Sequence, residues 1–155
     1  MRKLVMFCSL LMVVLSACRK SSEDDYAAQQ AVVDDQVIQG YIKEKVTGPV
    51  TKDPSGIYYQ IQTPGSGAYP TANSVVTVNY TGTFPQDDAV FDSGSGYTTS
   101  LNNVIEGWQI GIPRINRGGR ILLLIPSRLA YGPRGSGKIP ANRVLVFKID
   151  LLSFQ

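Results

Sequence analysis

Alternating apolar and polar residues in the second half of the chain limit its fold more than any other feature. The C-terminal run RVLVFKIDLLSF (residues 143–154) has Leu145, Phe147, Ile149 and Leu151 at every second position. Successive side chains of a β-strand point to opposite faces, so these residues share one face of a strand. The segment is therefore predicted to be a strand with one face in a hydrophobic core.

Three earlier segments also have strand character. The run SVVTVNYTG (74–82) alternates cleanly, with Tyr80 and two valines on one face. GIYYQIQ (56–62) also alternates, and RILLLIP (120–126) is an unbroken apolar run of strand length. Turns rich in Pro and Gly, such as TPGSGAYPTAN, separate the predicted strands.

One segment between the strands can hold a helix. In VIEGWQIGIPRINRGG (104–119) we expect a short helix that ends at Gly118-Gly119. Strands with hairpin-like spacing and one central helix are typical of α+β domains. The predicted fold class is therefore α+β, with an antiparallel sheet and one short central helix.

An amphipathic helix is predicted ahead of the strands, at residues 27–48, and Thr47-Gly48-Pro49 ends it. Its apolar face either packs on the following domain or forms a surface for dimerisation or for a partner. The sequence leaves the oligomeric state open. The apolar residues at helical spacing are Val33, Val37, Ile38, Tyr41, Ile42 and Val46.

The first 17 residues have the composition of a secretory signal peptide. Arg2 and Lys3 precede an apolar run (4–17) that is shorter than the ~20 residues of a membrane span. The following LSAC resembles the lipobox of bacterial lipoproteins, which implies that Cys18 becomes the lipidated first residue of the mature chain. The alternative is an ordinary signal peptide with an incidental cysteine. Residues 18–26 are polar and are predicted to form a tether.

Charge, cysteine and histidine content exclude several classes of function. The 15 basic and 12 acidic residues give a net charge of +3. Loss of Arg2 and Lys3 with the leader leaves 13 basic against 12 acidic residues, a net charge of +1, and no electrostatic case for nucleic-acid binding. Cys8 also leaves and Cys18 carries lipid, so no disulfide is expected. The absence of histidine excludes Ser-His and Cys-His catalysis and His-ligated zinc.

Two motifs suggest chemistry that the rest of the chain does not support. Asp92 in VFDSGSG (90–96) stands before Ser-Gly, as does the catalytic Asp of an aspartic protease. Such enzymes need two carboxylates that share a proton, and this chain has one Asp-Ser-Gly. A homodimer could supply the second, but VIEGWQIG stands where a flap and a Gly-containing strand are needed. GPRGSGK (132–138) lacks the spacing of a phosphate-binding loop and is predicted to be a surface loop.

Six aromatic residues lie near predicted strand ends, in the central helix or in loops. In a small domain such residues usually form the core. A concave aromatic site with a few polar groups is, however, the usual form of a pocket for a small apolar ligand. Both interpretations stay open for these residues, which are Tyr80, Phe91, Tyr97, Trp108, Tyr131 and Phe147.

Five blocks, taken in order, resemble the FKBP-type peptidyl-prolyl cis–trans isomerases: VNYTG, VFDSG, VIEGW, LAYG and IPANRVLVFKIDLL. The resemblance runs from about Gly56 to the C-terminus. It implies the family's fold, an antiparallel β-sheet wrapped around a short α-helix, which agrees with the strand pattern. It also implies that residues 49–155 form the isomerase domain.

The resemblance assigns roles to individual residues. Three are implied to be catalytic: Asp92 as a polar group at the rim, Ile105 through its backbone N–H, and Tyr131 through its hydroxyl. The implied substrate-binding residues form an aromatic and apolar pocket with an indole floor. They are Tyr80, Phe91, Tyr97, Val104, Trp108, Ile139 and Phe147.

The chain also departs from the family pattern. Tyr97 stands where Phe is usual, the segment Leu101–Val104 is about two residues shorter than in small single-domain members, and IPAN replaces IPPN or IPPH. These changes affect the rim, and so ligand preference, more than the chemistry. No large insertion separates Tyr80 from Phe147, so a chaperone domain at that place is not expected.

The function implied is that of a peptidyl-prolyl cis–trans isomerase that acts on X-Pro bonds of exported proteins and assists their folding, without cofactor or metal. The alternative is a non-catalytic binding module or chaperone for a partner protein. Expected partners are proline-containing polypeptides, a membrane reached through Cys18, and a rapamycin-like macrolide. The expected location is the bacterial cell envelope, with a lipid anchor in the periplasm, at the outer membrane or at the cell surface.

Overall fold

A computed structural model describes the backbone of residues 2–155 and the side chains of residues 23–155. The chain divides between Val33 and Asp34 into two units, and the second unit contains the β-structure. The predicted signal peptide (1–17) and the Cys18 side chain lie outside the described side chains. Within the described residues, none of the helices has the length and apolar character needed to cross a bilayer.

The six strands form a single sheet in which all neighbours are antiparallel, in the order β1-β2-β5-β6-β3-β4. This topology, with one short helix against the sheet, confirms the predicted fold class. The helices are α1 (Arg2–Lys45) and α2 (Glu106–Gly111). The strands are β1 (Thr51–Lys52), β2 (Tyr58–Thr63), β3 (Val75–Thr83), β4 (Val90–Ser100), β5 (Arg120–Ile125) and β6 (Leu145–Phe154).

Strand β4 is an element that the sequence pattern does not predict. It is rich in Gly, Ser and Thr, and most of its side chains are exposed. It lies at the edge of the sheet and pairs with β3, from Val75 opposite Ser100 to Thr83 opposite Val90, with two register shifts. Backbone hydrogen bonds to β3, rather than a buried apolar face, hold this strand in place.

The alternating residues of β3 and β6 face the hydrophobic core, as predicted. There they meet α2 and one face of β5. Tyr80 is partly buried, and the others are at most 4% exposed. Burial of each such side chain contributes about 1.5–3 kcal/mol. The main members of this cluster are Val76, Val78, Trp108, Ile112, Ile121, Leu123, Ile125, Leu145, Phe147, Ile149 and Leu151.

Strand β5 is apolar on both faces because both faces are covered. Alternate residues from Ile121 to Ile125 face α2. Leu122 and Leu124 point the other way and pack against Ile38 and Tyr41 in the C-terminal part of α1. The unbroken run of this strand therefore follows from its central place between two helices.

The C-terminal part of α1 thus packs on the domain, which is one of the two interpretations of its apolar stripe. Ile38 and Tyr41 are buried, whereas Val33 is half exposed. The helix ends at Lys45, close to the predicted stop, and Gly48 takes a positive φ of 93° just beyond it. The stripe residues that pack at the edge of the cluster are Val37, Ile42 and Val46.

The sequence analysis places a boundary at residue 26, between a tether and a helix. In the structure the backbone is helical on both sides of this position. Residues 23–26 lie inside α1. The sequence from 23 to 39 has no Gly or Pro and includes Ala, Glu and Gln, which favour helix. The polar character of this segment therefore does not end the helix.

Helix α2 ends earlier than predicted. It stops at Gly111 and tightens into a 3₁₀ turn over Ile112–Arg114, whereas the sequence predicts an end at Gly118-Gly119. Pro113 has no backbone N–H and so cannot continue the hydrogen-bond pattern of the helix. Gly118 instead takes a positive φ of 80° in the turn before β5.

Two glycines of α2 allow this helix to lie directly on β5. Gly107 and Gly111 are one helical turn apart and face the sheet. A Cβ atom at Gly107 would lie 2.5 Å from Cγ2 of Ile125, and one at Gly111 would lie 2.5 Å from Cδ1 of Leu123. The close approach of helix and sheet therefore requires the absence of both side chains.

We expect Gly107→Ala to destabilise the fold by about 1–3 kcal/mol, because the added methyl group overpacks a buried contact with a stiff β-branched side chain. Urea denaturation measures this free energy of unfolding. Gly40→Ala is the matched control, since a Cβ there meets nothing within 4 Å; it should stabilise the protein by about 0.5–1 kcal/mol. Equal effects of the two substitutions would contradict the proposed packing constraint.

Candidate active site

A cavity of about 430 Å³ opens between α2, the inner face of the sheet and the segment that follows β5. Its volume lies in the range of pockets that bind small molecules. The lining residues are mostly aromatic and apolar, with polar atoms at the rim. They are Tyr80, Phe91, Asp92, Tyr97, Asn103, Val104, Ile105, Trp108, Ala130, Tyr131 and Phe147.

Trp108 lies at the apolar end of the cavity, where α2 presents it to the sheet. Its indole is 4% exposed. The ring centroid lies 5.0 Å from that of Tyr80 and 5.3 Å from that of Phe147, with interplanar angles of 80° and 84°. Edge-to-face contacts of this kind are the preferred geometry of aromatic pairs and hold the three rings in defined positions.

Phe91 extends the aromatic wall from β4. Its ring lies 5.5 Å from Phe147 at an interplanar angle of 90°. Gly82 of β3 makes room for both rings, because a Cβ atom there would lie 2.6 Å from Cζ of Phe91 and 2.8 Å from Cε1 of Phe147. The glycine of the YTG block is therefore required by the shape of the pocket.

Asp92 orients the hydroxyl of Tyr80. That hydroxyl donates to Oδ2 of Asp92 at 2.8 Å, and the backbone N–H of Ser93 donates to Oδ1 at 2.9 Å. Burial, together with the hydrogen bond to Asp92, raises the pKa of Tyr80 to about 12. Burial also raises the pKa of Tyr131, and the nearby charge of Asp92 acts in the same direction. Both phenols are therefore protonated, and able to donate hydrogen bonds, at neutral pH.

The lining contains no pair of carboxylates. Asp92 is the one acidic residue among the described lining residues. A dyad that shares a proton, as an aspartic protease requires, is therefore not formed by the described residues that line this cavity. Within residues 23–155 there is also no group of three or more His, Cys, Asp and Glu side chains arranged to hold a metal ion.

Ile105 lines the cavity at the start of α2. Ile105 is the N-cap residue, and its carbonyl accepts hydrogen bonds from Trp108 N–H at 2.9 Å and Gln109 N–H at 3.3 Å. The N–H groups at the start of a helix have no partner within the helix. The N–H of Ile105 is thus available as a donor beside the aromatic floor.

Of the predicted pocket residues, all except Ile139 line the cavity. Ile139 is buried in the same hydrophobic cluster but is not among the lining residues. Asn103 and Ala130 line the cavity and were not predicted from the sequence. Each directly precedes a predicted site residue, Val104 or Tyr131, and a polar Asn or a small Ala carries no signal of its own.

The sequence model described as FKBP-type peptidyl-prolyl cis-trans isomerase matches residues 67–152, more than half of the chain. The chain belongs to this family. The protein FkpA of Aeromonas hydrophila is 43% identical over 104 residues, which cover 65% of this chain and 39% of that protein. FK506-binding protein 1 of Saccharomyces cerevisiae is 43% identical over 96 residues, which cover 57% of this chain and 84% of that protein.

The fold is likewise similar to a solved structure. The crystal structure of FkpA from Escherichia coli superposes with a TM-score of 0.72 at 34% sequence identity, covering 88% of this chain and 64% of that chain. This chain therefore spans less than the full length of the FkpA proteins that it matches, and 39% of the Aeromonas protein. The part of the chain that the family model matches, residues 67–152, includes α2 and every residue that lines the cavity.

We expect Asp92→Asn to lower the pKa of Tyr80 from about 12 toward the ordinary value of 10, because the variant loses the carboxylate charge and the charged acceptor. Burial remains, so the pKa should stay above 10. A pH titration of the Tyr80 ring-carbon NMR signals measures this shift.

The raised pKa of Tyr80 also makes the stability of the fold depend on pH. Because the folded-state pKa is raised, the stabilising contribution of neutral Tyr80 is fully present below pH 10 and is lost as the pH rises through 12. Asp87→Asn is the matched control, since it removes a neighbouring exposed carboxylate that is not among the groups acting on Tyr80. An unchanged pKa in Asp92→Asn would contradict the assigned hydrogen bond.

Proposed function

We propose that this protein catalyses the cis–trans isomerisation of X-Pro peptide bonds. The observation that carries the proposal is the cavity in which Tyr80 and Phe147 each meet Trp108 edge to face, with the hydroxyl-bearing Tyr80 and Tyr131 among the lining residues. Membership of the isomerase family supports it. The proposed substrates are proline-containing segments of exported proteins, whose folding the enzyme assists.

The reaction breaks no covalent bond, and this determines what the site must do. Rotation about a peptide bond faces a barrier of about 18–20 kcal/mol, which comes from amide resonance. The cis and trans forms of an X-Pro bond differ little in energy but interconvert over tens to hundreds of seconds. Any environment that disfavours the charge-separated resonance form lowers the barrier, and each ~1.4 kcal/mol gives a tenfold increase in rate.

The aromatic part of the cavity supplies such an environment. In our proposal the proline ring lies against Trp108, Phe147 and Phe91, and the amide before it leaves bulk water. The planar amide has more charge separation than the twisted transition state. Removal of water therefore raises the energy of the planar form relative to the twisted one, which is differential binding of the transition state.

The polar rim holds the substrate on either side of the reacting bond. The Tyr131 hydroxyl and the Ile105 N–H are proposed to donate to substrate carbonyls on either side of the reacting amide and not to the carbonyl of that amide, where a donor would favour the charge-separated form. Asp92 acts as a positioning group, because its carboxylate holds the Tyr80 hydroxyl. In this scheme Asp92 is neither a nucleophile nor a proton shuttle, and the reaction needs no cofactor.

We expect the full chain, purified in detergent, to accelerate cis-to-trans isomerisation of a Leu-Pro peptide. Trp108→Ala should lower kcat/KM at least about tenfold, a loss of about 1.4 kcal/mol of transition-state stabilisation. Tyr131→Phe should have a smaller effect through the lost donor. Tyr69→Phe is its matched control, since Tyr69 is exposed and lies outside the cavity lining.

The alternative function is that of a non-catalytic binding module or chaperone with the same pocket. FK506-binding protein 1 of yeast is among the relatives, and we propose that this pocket also takes macrolides of the FK506 and rapamycin type. Calorimetry with FK506 separates the two functions. A folded wild type that binds FK506 but does not accelerate isomerisation would overturn the enzymatic proposal in favour of the binding module.

We further propose that the protein is a lipoprotein of the bacterial cell envelope. The support is the sequence: the apolar run of residues 4–17 leads into LSAC, which resembles a lipobox. In this proposal residues 1–17 are removed and Cys18 receives the lipid, which holds the domain at the membrane surface near exported polypeptides.

We expect Cys18→Ser to abolish incorporation of labelled palmitate and to release the protein from the membrane fraction, because this thiol is the proposed attachment site. Cys8→Ser is the matched control, since Cys8 lies in the proposed leader; it should leave labelling unchanged. Labelling and membrane fractionation that persist in Cys18→Ser would contradict the anchor.

A further inference from the structure

Asp34 is a buried carboxylate on the face of α1 that packs on the sheet. It lies one helical turn before Ile38 and two before Tyr41, so all three share one helix face. Asp34 is 2% exposed. Removal of a carboxylate from water is costly unless hydrogen bonds replace those to water, so the partners of this side chain identify what it does.

Ser127 donates two hydrogen bonds to Asp34. The backbone N–H and the hydroxyl of Ser127 both donate to Oδ2, each at 2.7 Å. Ser127 is itself 1% exposed. Hydrogen bonds to a carboxylate in surroundings of low dielectric are strong and short, so they attach the backbone at Ser127 firmly to α1.

The segment that begins at Ser127 leads directly into the cavity. Ser127–Leu129 forms a 3₁₀ turn, and the next two residues, Ala130 and Tyr131, line the cavity. The N–H of Ala130 donates to the carbonyl of Ser127 at 3.0 Å, which closes the turn. A displacement of Ser127 is therefore carried to Tyr131 through a short, hydrogen-bonded piece of backbone.

The hydroxyls of the two pocket tyrosines differ in how they are held. The Tyr80 hydroxyl donates to Asp92 at 2.8 Å, whereas the Tyr131 hydroxyl has no hydrogen-bond partner among the described residues. Tyr131 is also 38% exposed, so packing restrains its ring only in part. The place of its hydroxyl therefore depends on the backbone that carries it.

We propose that Asp34 is a positioning residue for the pocket, which through Ser127 holds the segment 127–131 and so places the Tyr131 hydroxyl against the substrate. The inference rests on the proposed isomerase function. It links the C-terminal part of α1 (34–45), which packs on the outer face of the sheet, to a group at the rim of the cavity.

The test is a double-mutant cycle in the full chain, with kcat/KM for the Leu-Pro peptide as the readout. Asp34→Ala should lower kcat/KM about threefold to fivefold in the wild-type background, and by no more than Tyr131→Phe does, because it acts by displacing the same hydroxyl. In the Tyr131→Phe background, which already lacks the hydroxyl, it should cost less than about twofold, because both substitutions remove the same interaction. Asp34→Asn keeps an acceptor oxygen and should restore most of the activity.

Ile38→Ala is the matched control, because Ile38 is fully buried on the same helix face and packs in the apolar cluster with Tyr41, while its side chain has no polar atom that could bond to Ser127. It should lower stability and change kcat/KM by the same small factor in both backgrounds. Amide hydrogen exchange at Ala130 should be faster in Asp34→Ala than in Ile38→Ala. A loss of activity that is equal in both backgrounds, or unchanged exchange at Ala130, would overturn the proposal.

Ser127→Ala provides the same test if Asp34→Ala does not fold, since it removes one of the two donors and keeps the backbone N–H. It should show a smaller loss of kcat/KM that again disappears in the Tyr131→Phe background. A wild type without isomerase activity would overturn the proposed function, whereas a wild type that is active and insensitive to Asp34→Ala would overturn only the role of Asp34.

Discussion

The packing of α2 on β5 through Gly107 and Gly111 is the contact on which the rest of the pocket depends. Since neither glycine has a side chain, the helix lies close to the sheet and Trp108 reaches the rings that β3 and β6 supply. Nε1 of Trp108 is buried without a hydrogen-bond partner among the described residues. Such a donor costs about 1–3 kcal/mol, which a phenylalanine would avoid. The size of the indole ring, which lets Trp108 reach Tyr80 and Phe147, therefore accounts for a tryptophan at this position better than the stability of the fold does.

The sheet connects this pocket with the outer face of the domain. Strand β5 carries apolar residues on both faces, so it packs against α2 on one side and against the C-terminal part of α1 on the other. The same strand ends at the segment that bears Ser127 and Tyr131. Asp34 is hydrogen-bonded to that segment from α1. The helix on the outer face therefore both covers the sheet and determines where one rim of the cavity begins.

Sequence patterns predict those parts of the structure in which burial decides the conformation. The alternation in β3 and β6 follows from one buried face, and the family motifs identify most of the cavity lining. Strand β4 is not predicted because it has no alternating apolar pattern. Backbone hydrogen bonds to β3 stabilise this polar strand at the edge of the sheet. The true end of α2 depends on Pro113, and the place of Ile139 depends on how a loop folds over the core. The sequence analysis does not identify Asp34, because helical periodicity was assessed from apolar residues alone. A carboxylate on the same helix face gives no signal in such a pattern.

In the proposed mechanism, the aromatic cavity lowers the rotation barrier by removing water from the prolyl amide. Isotope-edited infrared spectroscopy tests this directly, with a Leu-Pro peptide that carries a ¹³C label in the leucine carbonyl. A desolvated amide has less charge separation and a stronger C=O bond. The labelled carbonyl stretch should move to higher frequency when the peptide binds, and Trp108→Ala should abolish the shift. A move to lower frequency would show a strong hydrogen bond to that carbonyl and would contradict the proposed mechanism.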